Sequence, residues 1–219
     1  MGNIPPLKRG TMGSDIDLPN TTRSWAWGKS LGIYSNHDGP TSSGDRHTDI
    51  GKKINRFKYH NNIDQVERDS IVNYFSNEVF RAVTTGLAKE YLLAPPFNVC
   101  LGPPENRKTG HSLPKYICRN LAEEHDWIIN GFESINKTRV GAIMKNLPWL
   151  ERSSKLKGLY EIDLSPLPVD VSGFLIVDDV YETGSTLAEL CDTIELQFPG
   201  TPRFVISLSH LHATKRSIN

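Results

Sequence analysis

Residues 174–177 of this 219-residue chain read Phe-Leu-Ile-Val, apolar at four successive positions, and run straight into Asp178 and Asp179. Side chains alternate across a strand, so a strand apolar at every position needs cover on both faces. The pattern recurs at 97–102 (Phe-Asn-Val-Cys-Leu-Gly) and at 203–210 (Arg-Phe-Val-Ile-Ser-Leu-Ser-His). Segments of helical period separate these runs, over 112–125 and 185–198, with Pro114 tolerated in a first turn. Residues 126–130 and 158–163 read as two further strands. This alternation predicts an α/β fold: a mostly parallel sheet with helices on both faces.

The N-terminal half adds helices. Residues 1–24 are rich in Gly, Pro, Asn and Thr and read as a mobile arm, which leaves 25–219 as one domain. Trp25 and Trp27 open ordered β structure on a shared strand face, where core packing outweighs base stacking. Residues 48–60 form a helix that Thr48 or Asp49 can cap, with Ile50, Ile54 and Phe57 on its apolar side. Lys52, Lys53, Arg56 and Lys58 then make a basic outer surface, solvated by default and able to touch nucleic acid. A longer helix over 62–92 repeats Val72, Phe75, Val79, Val83 and Leu87 at helical spacing and stops before Pro95-Pro96. Residues 132–157 are basic and aperiodic and read as a long loop, functional or disordered.

Charge narrows the options. Twenty-five basic and 25 acidic residues leave no global field toward nucleic acid or membrane. Cys100, Cys118 and Cys191 are few, odd in number and far apart, which disfavours a disulfide scaffold or a cysteine zinc site and suits a reducing compartment. The first residues lack the apolar core of a signal peptide, and Pro6 stands where myristoylation wants Ser or Thr. No apolar run is long enough to span a bilayer. The expectation is a soluble, cytoplasmic protein.

The site chemistry follows from the opening run. In open parallel sheets, ligands bind beyond the carboxyl ends of the strands. Asp178 and Asp179 stand at such an end, and residues 182–186 (Glu-Thr-Gly-Ser-Thr) lead into a helix N-terminus. Outward N–H groups and the helix dipole favour an anion there. Gly184 permits a tight turn, and Thr183, Ser185 and Thr186 add hydroxyls. Carboxylates repel phosphate, so Asp178 and Asp179 need another partner, such as sugar hydroxyls or Mg2+ held directly or through water. A 5′-phosphate, a ribose diol and a metal-bound pyrophosphate answer all of these features.

The stretch "FLIVDDVYETGST" resembles the phosphoribosyl-pyrophosphate (PRPP) motif of type I phosphoribosyltransferases, with Tyr181 and Glu182 at positions more often aliphatic and Thr. Around it, "INRFKYHNN", "NRKTGHSLPKYICRNLA" and "ERSSKLKGLYEID" resemble segments of the ComF-like branch, whose members are associated with DNA uptake. That branch's Arg-Gly-Phe-Asn-Gln is Thr109-Gly110-His111-Ser112-Leu113 here, the Asn after its loop arginine is Lys155, and its cysteine-rich zinc module is absent. The resemblance implies a type I fold with a small N-terminal hood. It implies transfer of phosphoribose from PRPP to a nitrogen acceptor, nucleobase-like, with release of pyrophosphate. Asp178 and Asp179 then hold the ribose hydroxyls and Mg2+, and Glu182, Thr183, Gly184, Ser185 and Thr186 hold the 5′-phosphate. Arg107, Lys108 and Arg152 neutralise pyrophosphate, Arg152 from a lid. Glu182 is the candidate general base, matched to an Asp in the 6-oxopurine branch, and equally a candidate helix cap. His210 and His212 share a face at the end of the last strand, too few for a metal site and placed for a rim role. Two other readings stay open: a non-catalytic PRPP or nucleotide sensor working with a DNA-handling partner, and an effector acting on nucleotide pools. A homodimer is compatible with all three, and a membrane partner with none.

Overall fold

The computed structural model describes residues 16–18, 25–35, 47–60, 62–87, 96–104, 112–139 and 149–211. Its main sheet has the order β1 (Ile16–Asp17), β2 (Trp27–Ser30), β8 (Arg203–His210), β7 (Phe174–Tyr181), β3 (Val99–Leu101), β4 (Ile129–Asn130). Every neighbouring pair is parallel except β1–β2 at the edge. Alternation along β7 explains the burial: Leu175 and Val177 join one core, Phe174 and Ile176 the other. The first core is covered by α1 (Asp49–Tyr59), α2 (Gln65–Leu87) and α3 (Leu113–Glu124). The second is covered by α5 (Ser185–Gln197), by Leu156 of α4 (Trp149–Leu156), and by a separate antiparallel pair, β5 (Ile135–Lys137) with β6 (Tyr160–Ile162). The predicted α/β class, with a mostly parallel sheet between helices, is therefore what the chain forms.

The predicted faces of α1 and α2 are buried as expected, from Ile50, Ile54 and Phe57 to Val72, Phe75, Val79, Val83 and Leu87. Thr48 is the N-cap of α1: its Oγ1 accepts from the Gly51 N–H at 3.1 Å and donates to the Ile33 carbonyl. One hydroxyl thus closes the helix start and ties it to the chain just beyond β2.

Four expectations need correction. Within the predicted arm, Ile16 and Asp17 pair with β2 and Leu18 is buried, because an apolar residue beside an open sheet edge gains a strand's hydrogen bonds and cover. Trp25 and Trp27 do not share a face: Trp25 precedes β2 and packs in the α5-side core, whereas Trp27 packs against the α2 side. Residues 158–163 do supply a strand, but β6 leaves the main sheet and pairs with β5. Residues 132–157 are not one open loop. A 3-10 turn (Phe132–Ser134) and β5 occupy its start and α4 its end. These elements are too short for a periodic signal, and they persist by packing: the turn on β3 and α3, β5 on β6, and α4 on α5.

Candidate functional site

The sheet order creates a crevice. From β3 the chain crosses by α3 to β4 on one side, and from β7 it crosses by α5 to β8 on the other, with α3 and α5 on opposite faces. The carboxyl ends of β3 and β7 thus border a topological switch point, where open α/β sheets receive ligands. The two backbones converge there: a Cβ on Gly102 would lie 2.4 Å from the Val177 carbonyl oxygen. The segment after Gly102 leaves from beside Asp178. Arg107 and Lys108, assigned to pyrophosphate, lie outside the described residues, as does His212.

Facing alternates along β7 up to Val177 and then slips, since Val180 packs on the three-helix side and Tyr181 on the other. Asp178 and Asp179 occupy the slip. The Asp179 N–H donates to Asp178 Oδ1 at 2.9 Å, and Ser209 Oγ donates to the Asp179 carbonyl at 2.9 Å, so β8 serves the backbone that the slip exposes. Burial, reinforced by the negative charge of Asp179, pushes the Asp178 carboxyl up to about 7; Lys58 and the Asp179 N–H oppose this.

Lys58, in the last turn of α1, stands at the acidic pair, a placement that sequence reasoning missed. Its Nζ forms an ion pair with Asp179 Oδ2, and both side chains are only 17% exposed. Burial disfavours the ammonium, yet the adjacent Asp179 outweighs it and raises the Lys58 pKa above the ordinary lysine value. The prediction that Lys58 belongs to a solvated basic face is overturned. The signal was present: Lys58 stands four residues after Ile54 and seven after Gly51, both buried.

The loop beyond β7 turns into α5 through Gly184. Gly184 is the N-cap of α5 in the left-handed region (φ 75°), without a side-chain cap. The first intrahelical bond runs from the Ala188 N–H to the Gly184 carbonyl, so the N–H groups of Thr186 and Leu187 face out of the helix end, and the Ser185 N–H donates to Thr183 Oγ1 at 3.5 Å. Thr183 Oγ1 and Ser185 Oγ lie 2.9 Å apart. Gly184 is required for a reason other than phosphate approach: a Cβ there would lie 2.8 Å from the Tyr181 hydroxyl, whose ring floors the loop. Tyr181 in turn packs beside His210, ring centroids 5.6 Å apart.

Glu182 neither caps α5 nor extends freely across the crevice. Arg152 of α4 donates Nη1–H to Glu182 Oε2 at 2.7 Å and Nη2–H to Oε1 at 2.9 Å, a bidentate pair with the guanidinium buried. Glu182 is thus paired rather than capping α5, and Arg152 stands not in an open lid but in a helix, held against the loop. Neither side chain is free to act on a ligand while the pair stands.

The residues present do not fit a preassembled magnesium site. One carboxylate of the pair is already bonded to an ammonium, and among the described residues no group of three or more His, Cys, Asp and Glu is placed to hold a metal ion. No described helix is long and apolar enough to cross a membrane. Compared with known proteins, the chain matches no family model and no curated protein.

Proposed function

We propose that the carboxyl end of β7 binds PRPP and that the chain transfers its phosphoribose to a nitrogen acceptor in the cytoplasm. The observation that carries this reading is one juxtaposition: two acids near the end of β7, six and five residues before the left-handed glycine that opens α5. A diol and a phosphate joined by one sugar answer to that chemistry. Under this reading the sheet is a type I phosphoribosyltransferase fold, and the chain before β3 supplies its hood. The N–H groups of Thr186 and Leu187, with the hydroxyls of Thr183 and Ser185, receive the 5′-phosphate. Asp178 and Asp179 accept from the ribose hydroxyls. The acceptor nitrogen bonds to C1 as the C1–O bond to pyrophosphate breaks; the electron pair leaves with pyrophosphate and the acceptor's proton passes to a base. Magnesium belongs to this proposal as a companion of the pyrophosphate oxygens, and no step is assigned to it.

A second reading, a non-catalytic PRPP or nucleotide sensor, is favoured by one observation: both oxygens of Glu182, the candidate general base, are engaged by Arg152. Titration calorimetry with PRPP and Mg2+ tests the shared premise. Asp178→Asn with Asp179→Asn should weaken binding by about 3 kcal/mol or more, since several charge-assisted hydrogen bonds are lost together; unchanged affinity refutes the site. A nucleobase screen for pyrophosphate release then separates enzyme from sensor, and release without a nucleobase, with free nucleotides consumed, points to an effector on nucleotide pools.

A further inference from the structure

We infer that Lys58 is the resident counter-ion of the acidic pair, and that Asp178 and Asp179 receive a neutral diol rather than a divalent ion of their own. The inference rests on the PRPP reading for the identity of that diol, and on the geometry alone for the exclusion of metal.

Lys58 is held at both ends of its side chain. Its backbone belongs to the last turn of α1, which is fixed to the core by the buried Ile54 and Phe57, the Phe57 ring standing edge-on to Tyr116 at 5.6 Å. Its ammonium is bonded to Asp179 Oδ2 in a largely buried setting. A divalent ion binding the two carboxylates must either expel this ammonium from a nearly closed space or stand beside it as a like charge. A diol meets neither obstacle. Lys58 occupies Asp179 Oδ2 and the Asp179 N–H occupies Asp178 Oδ1. One oxygen on each carboxylate, Asp179 Oδ1 and Asp178 Oδ2, is left to accept, and two acceptors on consecutive residues suit two vicinal hydroxyl donors. Lys58 is thus a positioning and specificity residue: it fixes Asp179 for a hydroxyl donor and blocks a bare cation.

The test is a Mn2+ titration of the ligand-free full chain near neutral pH, followed by the electron paramagnetic resonance signal of free Mn2+. The wild type should show no site tighter than about 1 mM. Lys58→Met should gain a site at least about tenfold tighter, which adding Asp179→Asn removes, while Lys58→Arg stays like the wild type. Equal Mn2+ affinity in wild type and Lys58→Met overturns the inference, as does a wild-type site tighter than about 1 mM that Asp179→Asn abolishes. That second comparison decides the matter even if Lys58→Met fails to fold, which circular dichroism will report. PRPP takes no part in the titration. Failure to bind PRPP in calorimetry would therefore sink the proposed ligand and leave the metal result standing.

Discussion

Two ion pairs leave the same helix on opposite sides and do different things. On one side of α1, Arg56 makes a bidentate pair with Glu67 (2.8 and 2.9 Å) beside a cleft of about 690 Å³ shared with α2 and lined by Lys52, Lys53 and His60. Two residues later, Lys58 pairs with Asp179 against the sheet. The first pair has the better geometry, yet its side chains are 33% and 40% exposed against 17% and 17% for the second. Water can replace either partner in the cleft and neither partner at the strand end. Burial, not bond geometry, decides which pair the fold depends on.

The sharpest way to break this comparison is to remove each cation in turn. Lys58→Met leaves the Asp179 carboxylate in a poorly solvated place without its partner. Urea unfolding near neutral pH should show a loss of about 4 kcal/mol, recovered in large part when Asp179→Asn is added. A loss no greater than that of Arg56→Met would mean that water reaches Asp179 freely and that the two pairs are equivalent.

Protonation of Asp178 gives the next largest effect. Its carboxyl is raised from 3.8 to about 7 in the fold, so the native state binds the proton more tightly than the unfolded chain. The stability from this group is complete below the unfolded value and is lost as pH rises through the folded one. Between pH 5 and 8 the ligand-free protein should lose roughly 3 kcal/mol through Asp178. Asp178→Asn should flatten the curve over that window; an unaltered slope would assign the decline elsewhere. Diol binding should move the opposite way and strengthen over the same window, because the carboxylate is the better acceptor.

Much of this architecture was readable in the chain itself, and the failures share a cause. Continuous apolar runs such as Phe174–Val177, and helical repeats such as Val72, Phe75, Val79 and Val83, are long enough for periodicity to outweigh local preference. The glycine that opens α5 was equally plain, because type and spacing both signalled it, whereas β7 runs two residues past the acidic pair, to Tyr181. Short elements were not. β5, β6 and α4 have 3, 3 and 8 residues and hold their shape through packing that no local pattern encodes. The pairings were least visible of all. Arg152 and Glu182 are thirty residues apart, and Lys58 and Asp179 more than a hundred, so only the folded sheet brings them together. Lys58 was hidden by its company, one lysine among cations that do face water.

The Arg152–Glu182 pair is intermediate, with one partner buried and the other half exposed. A 5′-phosphate at the start of α5 would compete with Glu182 for the Arg152 guanidinium. Glu182→Gln should therefore tighten ribose-5-phosphate binding about fivefold in calorimetry, and Arg152→Gln should weaken it about as much, the usual scale of coupling between adjoining sites. Tightening in neither variant would make the pair a fixed brace between α4 and the loop.

The smallest effect belongs to the cleft, and its smallness is the point. Hydrogen bonds from Arg56, with its charge, hold the Glu67 carboxyl below the ordinary value. A depressed carboxyl contributes stability above its unfolded value of 4.5 and loses it as pH falls through the folded one, so removing this pair registers in full at neutral pH. There both side chains already have water as an alternative, and ordering two long, exposed side chains offsets much of the attraction. Arg56→Met should leave the melting temperature at neutral pH within about 2 °C of wild type in scanning calorimetry. Moderate salt should change the two proteins alike, because little screened attraction is there to lose. A drop matching that of Lys58→Met would show that the cleft closes over this pair, and exposure would then cease to distinguish the two sides of α1.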